Sequence, residues 1–252
     1  MSWVHAKIPK CAVNLGKRDL TTFVLVPGAW LGGWAWRKVH SAARGDGARG
    51  PRRHPDGDGR EGHLASREIG IETAIEDVLN TIRYNDLDDV VLVGHSFAGK
   101  VVTAVADRAG EKKVGMVLFV DAFIPENVRT PQGDFSSEGW PTLADGWRIP
   151  LTESILGSIG KDVQGADREW MLSKVTPWLM RYAGDPVTLS ERLNSVKKAY
   201  ILCTGGGDDV EQILKRKLDG PVKVIESGHW PMISKPEELV EDMLLLTGAA
   251  LP

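Results

Sequence analysis

The sequence is poor in cysteine, has no long apolar run and carries almost no net charge. Its 252 residues include two cysteines, too few for a disulfide framework and without metal-ligand spacing. No apolar run approaches the ~20 residues that a membrane-spanning helix needs. A formal net charge of −3 gives no general attraction to nucleic acid or to anionic membranes. We therefore expect no bound metal, no nucleic-acid partner and no membrane partner.

The first 20 residues also lack the apolar core of a signal peptide. In MSWVHAKIPKCAVNLGKRDL, polar and charged side chains interrupt every apolar stretch. We therefore expect residues 1–20 to be a tail and the protein to be cytoplasmic. Residues 21–252 have the length of a single α/β domain with one sizeable core.

Apolar segments typical of buried strands alternate with helical segments along most of the chain. Strands are predicted in TTFVLVPGAW, DVVLVGHSFAG, VGMVLFVDAFIP, AYILCTGGGDD and VKVIESGHW. An amphipathic helix is indicated by the spacing of Ile71, Ala74, Ile75, Val78, Leu79 and Ile82. A closing helix is predicted in PEELVEDMLLLTG. This alternation predicts an α/β fold with a mostly parallel sheet flanked by helices.

The alternation stops between Pro125 and Ser195, where four tryptophans occur. We predict a helical cap, inserted at about 125–195, that lies over the ends of the strands. The tryptophans either fill a small helical core or line an apolar substrate pocket. The pocket candidates are Trp30, Trp140, Trp178 and Trp230.

Residues 44–63, RGDGARGPRRHPDGDGREGH, are unusual for a compact domain, since such a domain rarely carries so long a structureless stretch. The DGDG motif lacks the spacing and the closing glutamate of a calcium loop. Five arginines are offset by four acidic residues, which argues against a nucleic-acid arm.

The segment VVLVGHSFAGKVV places Ser96 on a tight turn between a strand and a helix. Such a turn exposes the hydroxyl above the sheet and requires small neighbours, because strand, turn and helix approach closely. Gly94 and Ala98 meet this requirement two residues on either side. Ser96 is therefore the predicted nucleophile; the alternative is a serine with a structural role in the turn.

A serine nucleophile needs a base and a carboxylate that orients the base. His229, in ESGHWPM, follows a late strand and comes after the serine in the chain order of serine hydrolases built on α/β sheets. His95 is expected to point away and to be structural. Asp208 is the preferred acid, with Asp121 and then Asp209 as alternatives, although each aspartate can equally cap a loop.

Two backbone N–H groups are expected to stabilise the oxyanion. One belongs to Phe97, directly after the nucleophile, and the other to Ala29, in the loop after the first strand. That loop has neither G-K-[ST] nor G-x-G-x-x-G, so it does not match a phosphate-binding loop, and no nucleotide cofactor is predicted.

Four segments together resemble one known family: FVLVPGAWLGGWAW, DDVVLVGHSFAG, VLFVDAFIPE and SGHWPMISKPEEL. They are similar to small, cofactor-independent α/β-hydrolases related to plant methylesterases, hydroxynitrile lyases and bacterial pyrethroid hydrolases. The resemblance covers about residues 21–248. It implies the α/β-hydrolase fold, a triad of Ser96, His229 and an acid, and oxyanion donors at Ala29 and Phe97.

The chain departs from this family in two places. Pro27 stands where many members have a histidine that is not part of the triad. Before the amphipathic helix, members carry an apolar strand and turn resembling GHEVHAVTLTGMGER, which the printed sequence lacks. Codons for residues 47–60 can be chosen so that reading one base later yields GHEVHAVTLTGMG. We therefore hypothesise a local frameshift within residues 44–63; the alternative is a surface loop that leaves the sheet without one strand.

Together these residues predict a serine esterase that cleaves a small hydrophobic carboxylic ester through an acyl-enzyme. One alternative is a hydroxynitrile lyase-like enzyme, but those lyases use a lysine just after the histidine, where this chain has Trp230. Another is a catalytically weak binding protein or receptor with a hydrolase fold, which the intact Ser96 and His229 disfavour. The sequence leaves the assembly state open, and a homodimer is one alternative.

Overall fold

A six-stranded sheet forms the centre of the computed structural model, which describes residues 13–14, 21–43, 64–125, 141–205 and 220–248. In chain order the strands are β1 (Val13–Asn14), β2 (Thr22–Val26), β3 (Val90–His95), β4 (Val114–Val120), β5 (Arg148–Ile149), β6 (Trp178–Leu179), β7 (Lys197–Gly205) and β8 (Val222–Gly228). The sheet order is β1-β2-β3-β4-β7-β8, and only the β1–β2 pair is antiparallel. The predicted mostly parallel α/β architecture is confirmed.

Helices follow the strands as the sequence pattern predicts. In the described ranges they are α1 (Arg37–Ala42), α2 (Ile71–Tyr84), α3 (Ala98–Ala109), α4 (Glu153–Ile159), α5 (Gly165–Leu172), α6 (Met180–Gly184), α7 (Pro231–Ser234) and α8 (Pro236–Thr247). A 3₁₀ turn at Gly33–Trp36 leads into α1. The buried face of α2 consists of Ile71, Ile75, Val78 and Ile82, as its apolar spacing predicts. None of the helices in these ranges has the length and apolarity that a membrane crossing requires.

The sheet separates two hydrophobic cores, because successive side chains of a strand point to opposite faces. In β2, Val24 and Val26 join the core that contains the apolar faces of α2 and α3. Phe23 and Leu25 join the core that contains residues of α1 and α8. The strands between these layers are therefore apolar on both faces, as in parallel sheets covered by helices.

The described part of the chain between β4 and β7 packs against the loops at the carboxyl ends of the strands. Trp30, after β2, donates its indole N–H to the Ile149 carbonyl at 3.0 Å, and its own carbonyl accepts from the Thr176 N–H at 3.1 Å. Trp34 and Trp170 make an edge-to-face contact with ring centroids 5.2 Å apart. These contacts place helices α4 to α6 beside the strand ends, where we expect the cap; its predicted portion over 126–140 lies outside the described residues.

Two residues of the predicted N-terminal tail form an edge strand. Val13 pairs with Phe23 and Asn14 with Thr22, which adds β1 to the outer side of β2. The expectation of a tail over 1–20 therefore does not hold at these two positions. The unusual segment 44–63 lies outside the described residues.

Candidate active site

Three residues with left-handed backbone geometry follow three neighbouring strands. Trp30 has φ 63°, Ser96 has φ 54° and Asp121 has φ 43°, after β2, β3 and β4 respectively. Side chains with a Cβ rarely adopt this conformation, and it is held mainly where the surrounding structure enforces it, often at functional sites. These turns lie at the carboxyl edge of the sheet, where open α/β folds bind ligands.

The turn at Ser96 is as crowded as the sequence pattern predicts. A Cβ added to Gly28 would lie 2.7 Å from Ser96 Cβ, and one added to Gly94 would lie 2.6 Å from Val102 Cγ2. A Cβ on Gly99 would lie 1.9 Å from the Phe123 carbonyl oxygen. Side chains larger than hydrogen are therefore excluded at these three glycines, which lets the loop after β2, the serine turn and α3 approach one another.

His229 lies in the two-residue connection between β8 and α7, and its ring reaches the serine. The Ser96 hydroxyl and His229 Nε2 are 2.8 Å apart, so the hydroxyl can donate its proton to the imidazole. The imidazole is mostly shielded, with 13% of its side chain exposed. The structure thus brings together the predicted nucleophile and the predicted base.

The carboxylate beside His229 belongs to Asp121, which the sequence analysis ranked second. Asp121 Oδ2 lies 2.6 Å from His229 Nδ1, and its side chain is 1% exposed. Its other oxygen, Oδ1, accepts the Cys203 backbone N–H at 3.1 Å. Both oxygens of this buried carboxylate thus have hydrogen-bond partners, as a buried charge requires.

This geometry favours Asp121, the second choice of the sequence analysis, over Asp208. Asp208 and Asp209 lie outside the described residues, whereas Asp121 Oδ2 lies within hydrogen-bond distance of His229 Nδ1. All three aspartates follow strands that end on the same edge of the sheet, and strand order alone does not tell which carboxylate faces the imidazole. The left-handed turn at Asp121 decides its direction.

The two predicted oxyanion donors belong to the segments that meet at Ser96. Ala29 directly follows Gly28, which packs on Ser96, and Phe97 directly precedes α3. Both residues are buried. Their role as oxyanion donors stays a prediction.

Of the four tryptophans proposed for a substrate pocket, Trp30 and Trp178 lie together. Their ring centroids are 5.9 Å apart, and the Phe97 ring lies 4.9 Å from that of Trp178. Trp230 belongs to the other core, where a Cβ added to Gly160 would lie 2.3 Å from its ring. Trp140 lies outside the described residues. The structure therefore groups two of the four, and one of these, Trp178, contacts Phe97, a predicted oxyanion-donor residue.

Two polar residues near His229 were not recognised from the sequence. His95, expected to point away, places its Nε2 2.6 Å from the His229 carbonyl oxygen. Asp162, in the connection between α4 and α5, accepts the Gly228 N–H at 2.7 Å. His95 directly precedes the predicted nucleophile, and this position was a sequence signal for its contact with the site. No sequence signal pointed to Asp162, because it comes from a distant part of the chain.

The pKa shifts of His95 and Cys203, two buried groups near the site, favour their neutral forms. Burial, followed by the proximity of His229, holds the pKa of His95 well below its usual value. Burial and the Asp121 charge raise the pKa of the Cys203 thiol, so this cysteine is not a nucleophile at neutral pH. Within the described residues, no group of three His, Cys, Asp or Glu side chains is arranged to hold a metal ion.

Comparison with known proteins agrees with the geometry. A model of the alpha/beta hydrolase family matches residues 23–242. The chain is 32% identical to the carbendazim hydrolyzing esterase of Nocardioides sp. strain SG-4G, over 90% of this chain and 100% of that protein. It is 26% identical to methylesterase 10 of Arabidopsis thaliana, over 90% of this chain and 91% of that protein.

A solved structure shares the fold. The crystal structure of methylesterase MES16 from Arabidopsis aligns with a TM-score of 0.71 and 21% identity, covering 90% of this chain and 98% of that one. The two relatives described above are esterases by name, and the chain is an enzyme of the same class, a carboxylic ester hydrolase. From its sequence and its fold alike, the chain belongs to the alpha/beta hydrolase family.

Proposed function

We propose that the chain hydrolyses a small hydrophobic carboxylic ester through a triad of Ser96, His229 and Asp121. The observation that carries this proposal is one continuous chain of hydrogen bonds. Asp121 Oδ2 lies 2.6 Å from His229 Nδ1, and His229 Nε2 lies 2.8 Å from the Ser96 hydroxyl. A nucleophile within reach of a base that a third group orients is the geometric signature of nucleophilic catalysis.

In the first half of the reaction, the Ser96 oxygen attacks the ester carbonyl while His229 Nε2 takes the hydroxyl proton. Asp121 accepts the Nδ1–H, which keeps Nε2 free to act as the base and offsets the imidazolium charge. The oxyanion accepts hydrogen bonds from the N–H groups of Ala29 and Phe97. Collapse of this intermediate breaks the ester C–O bond, and His229 returns the proton to the leaving alkoxide.

In the second half, water replaces the alcohol. His229 removes a proton from the water, which attacks the acyl-enzyme carbonyl, and the second tetrahedral intermediate expels Ser96. The proton on His229 passes to the serine oxygen, the carboxylic acid leaves, and the enzyme returns to its starting state. No metal or cofactor is needed at any step.

The surroundings of the serine favour an apolar substrate. Trp30, Phe97 and Trp178 are each buried, and Trp178 contacts the rings of both Trp30 and Phe97. Apolar walls with a few placed polar groups are typical of small-molecule sites. The names of the relatives support methyl esters and carbendazim as the first compounds to test.

Labelling and substitution of the nucleophile test this function. The wild-type protein should react with a fluorophosphonate, and peptide mass spectrometry should locate the adduct on Ser96. Ser96→Ala should abolish labelling and hydrolysis of short p-nitrophenyl and methyl esters, with an unchanged thermal unfolding midpoint. Ser195→Ala, an exposed serine that bonds the Arg192 carbonyl, is the matched control and should retain both properties. Labelling elsewhere, or turnover by Ser96→Ala, would overturn the proposal.

A further inference from the structure

His95 is the last residue of β3 and is completely enclosed. It is 1% exposed, with the Trp36 ring edge-on at a centroid distance of 6.5 Å. A Cβ added to Gly28 would lie 2.7 Å from His95 Nδ1, so the β2 loop closes the other side. The ring therefore has one direction in which to make its short hydrogen bond, toward the His229 carbonyl oxygen at 2.6 Å.

The partner atom defines the protonation of this ring. A carbonyl oxygen only accepts hydrogen bonds, so His95 Nε2 carries the proton and donates it. Burial keeps the pKa of His95 well below its usual value, which leaves the ring neutral. In the described residues, the titratable group that faces His95 is His229, whose ring centroid lies 4.6 Å from that of His95. The proximity of His229 lowers the pKa of His95 further.

The bond from His95 completes the fixation of the His229 main chain. The His229 N–H donates to the Ile159 carbonyl at 3.0 Å, and the His229 carbonyl accepts from His95. The hydrogen bonds at the start of α7 are made to the Trp230 carbonyl and leave the His229 carbonyl to His95. The connection from β8 to α7 has only two residues, so both main-chain polar groups of the base are held in place.

We propose that His95 is a positioning residue for the base: it fixes the His229 main chain so that the imidazole bridges Asp121 and Ser96. This inference rests on the proposed serine-hydrolase function. The peptide group of residue 229 determines where the imidazole begins, and proton transfer depends on a geometry that is accurate to a fraction of an ångström. The hydrogen bond from His95 goes to the main chain of His229 and not to a reacting atom, so its loss should lower the rate of proton transfer without weakening substrate binding.

Three substitutions separate positioning from packing. The amide nitrogen of His95→Gln can reach the position of Nε2 and donate to the His229 carbonyl. The side chain of His95→Asn is too short to reach it, and that of His95→Leu has no donor. We expect His95→Leu and His95→Asn to lower kcat about tenfold with KM within about twofold, and His95→Gln to stay within about threefold of the wild type, because one hydrogen bond is at stake.

A spectroscopic measurement accompanies the kinetics. The proton between His229 Nδ1 and Asp121 should give a low-field ¹H resonance in the wild type and in His95→Gln. We expect it to move upfield or broaden in His95→Leu and His95→Asn. Rates are normalised to the folded fraction measured by thermal unfolding. If His95→Leu does not fold, the comparison of His95→Gln with His95→Asn, both of which are polar, still tests the role of His95.

The outcomes distinguish this inference from the proposed function. Folded Leu and Asn variants with wild-type kcat, or Gln and Asn variants that lose activity equally, would overturn the role of His95. Turnover by Ser96→Ala would instead overturn the serine-hydrolase function itself. A loss of kcat that Gln reverses, together with the matching change in the low-field resonance, would establish His95 as the positioning residue.

Discussion

Asp121, the carboxylate that we propose for the triad, lies in a turn with left-handed backbone geometry. The left-handed backbone at this position directs the side chain toward His229, and the Cys203 N–H holds the second oxygen at 3.1 Å. A carboxylate that is anchored in this way offers the imidazole only acceptor atoms. The Nδ1–H tautomer of His229 is therefore the one that the site favours, and this tautomer leaves Nε2 free for the Ser96 proton.

The identity of the acid can be decided by two matched variants. Asp121→Asn should lower kcat by roughly 10⁴-fold with little change in KM, the loss that the wrong histidine tautomer causes in a serine protease. Asp208→Asn should stay within about threefold of the wild type, because in the proposed triad Asp121 already supplies the carboxylate on His229 Nδ1. Steady-state kinetics on a p-nitrophenyl ester, with fluorophosphonate titration of active sites, gives both numbers. The reverse ranking would assign the role to Asp208.

At the scale of elements, the connection between α4 and α5 holds the loop that carries the base. Asp162 Oδ2 accepts the Gly228 N–H at 2.7 Å, and the Ile159 carbonyl accepts the His229 N–H at 3.0 Å. A Cβ on Gly228 would lie 1.9 Å from Asp162 Oδ1, so this approach requires glycine. Because this connection belongs to the insert between β4 and β7, that insert also supports the catalytic loop from outside the sheet.

Removing this support should affect both stability and rate. Asp162→Ala leaves the Gly228 N–H without its partner, and we expect a loss of about 1 kcal/mol in the free energy of unfolding. Asp162→Ala should also lower kcat several-fold. Asp162→Asn keeps an acceptor for the Gly228 N–H, so its effects on the free energy of unfolding and on kcat should be smaller. Urea unfolding and ester kinetics measure the two effects.

The control for this prediction lies in the same insert. Asp167 pairs with Lys38 at 2.6 Å, and none of its described contacts involves the histidine loop. Asp167→Ala should leave kcat unchanged. An equal loss of kcat in the Asp162 and Asp167 variants would mean that the insert acts through general packing and not through Gly228.

At the scale of the whole molecule, the outer edge of the sheet beside β2 is the unusual feature. In the described residues, β1 pairs with Thr22 and Phe23 only, although β2 continues to Val26. The sequence of residues 44–63 contains no run of apolar residues typical of a strand. With suitably chosen codons, the frame shifted by one base would encode an apolar segment rich in β-branched residues, HEVHAVTL, like the one that the family resemblance implies before the amphipathic helix.

Resequencing the gene tests the frameshift hypothesis. We expect a frame disturbance that brackets residues 44–63 and a restored reading of GHEVHAVTLTGMG. The protein expressed from the restored frame should resist higher urea concentrations than the printed chain, since an added strand buries more apolar surface. Clean DNA in which the shifted frame encodes no apolar strand would refute the hypothesis, and 44–63 would then be a surface loop.

The sequence by itself determined the order of strands and helices, the tight turn at Ser96 and the place of His229 after a late strand. These features depend on local patterns: apolar periodicity, small residues around Ser96, and a histidine after a late strand. The unusual composition of residues 44–63 was likewise visible in the sequence alone. Local chemistry was sufficient for all of these because each depends on residues that are close together in the chain.

The tertiary structure decided which carboxylate faces His229, which residues hold its main chain, and which tryptophans lie together near Ser96. Asp121 and Asp208 both follow strands that end on one edge, and only the backbone direction at Asp121 places its carboxylate on the imidazole. His95 and Asp162 reach residues 228–229 from distant parts of the chain. Contacts of this kind leave no periodic trace in a sequence, because they depend on how separate elements pack in three dimensions.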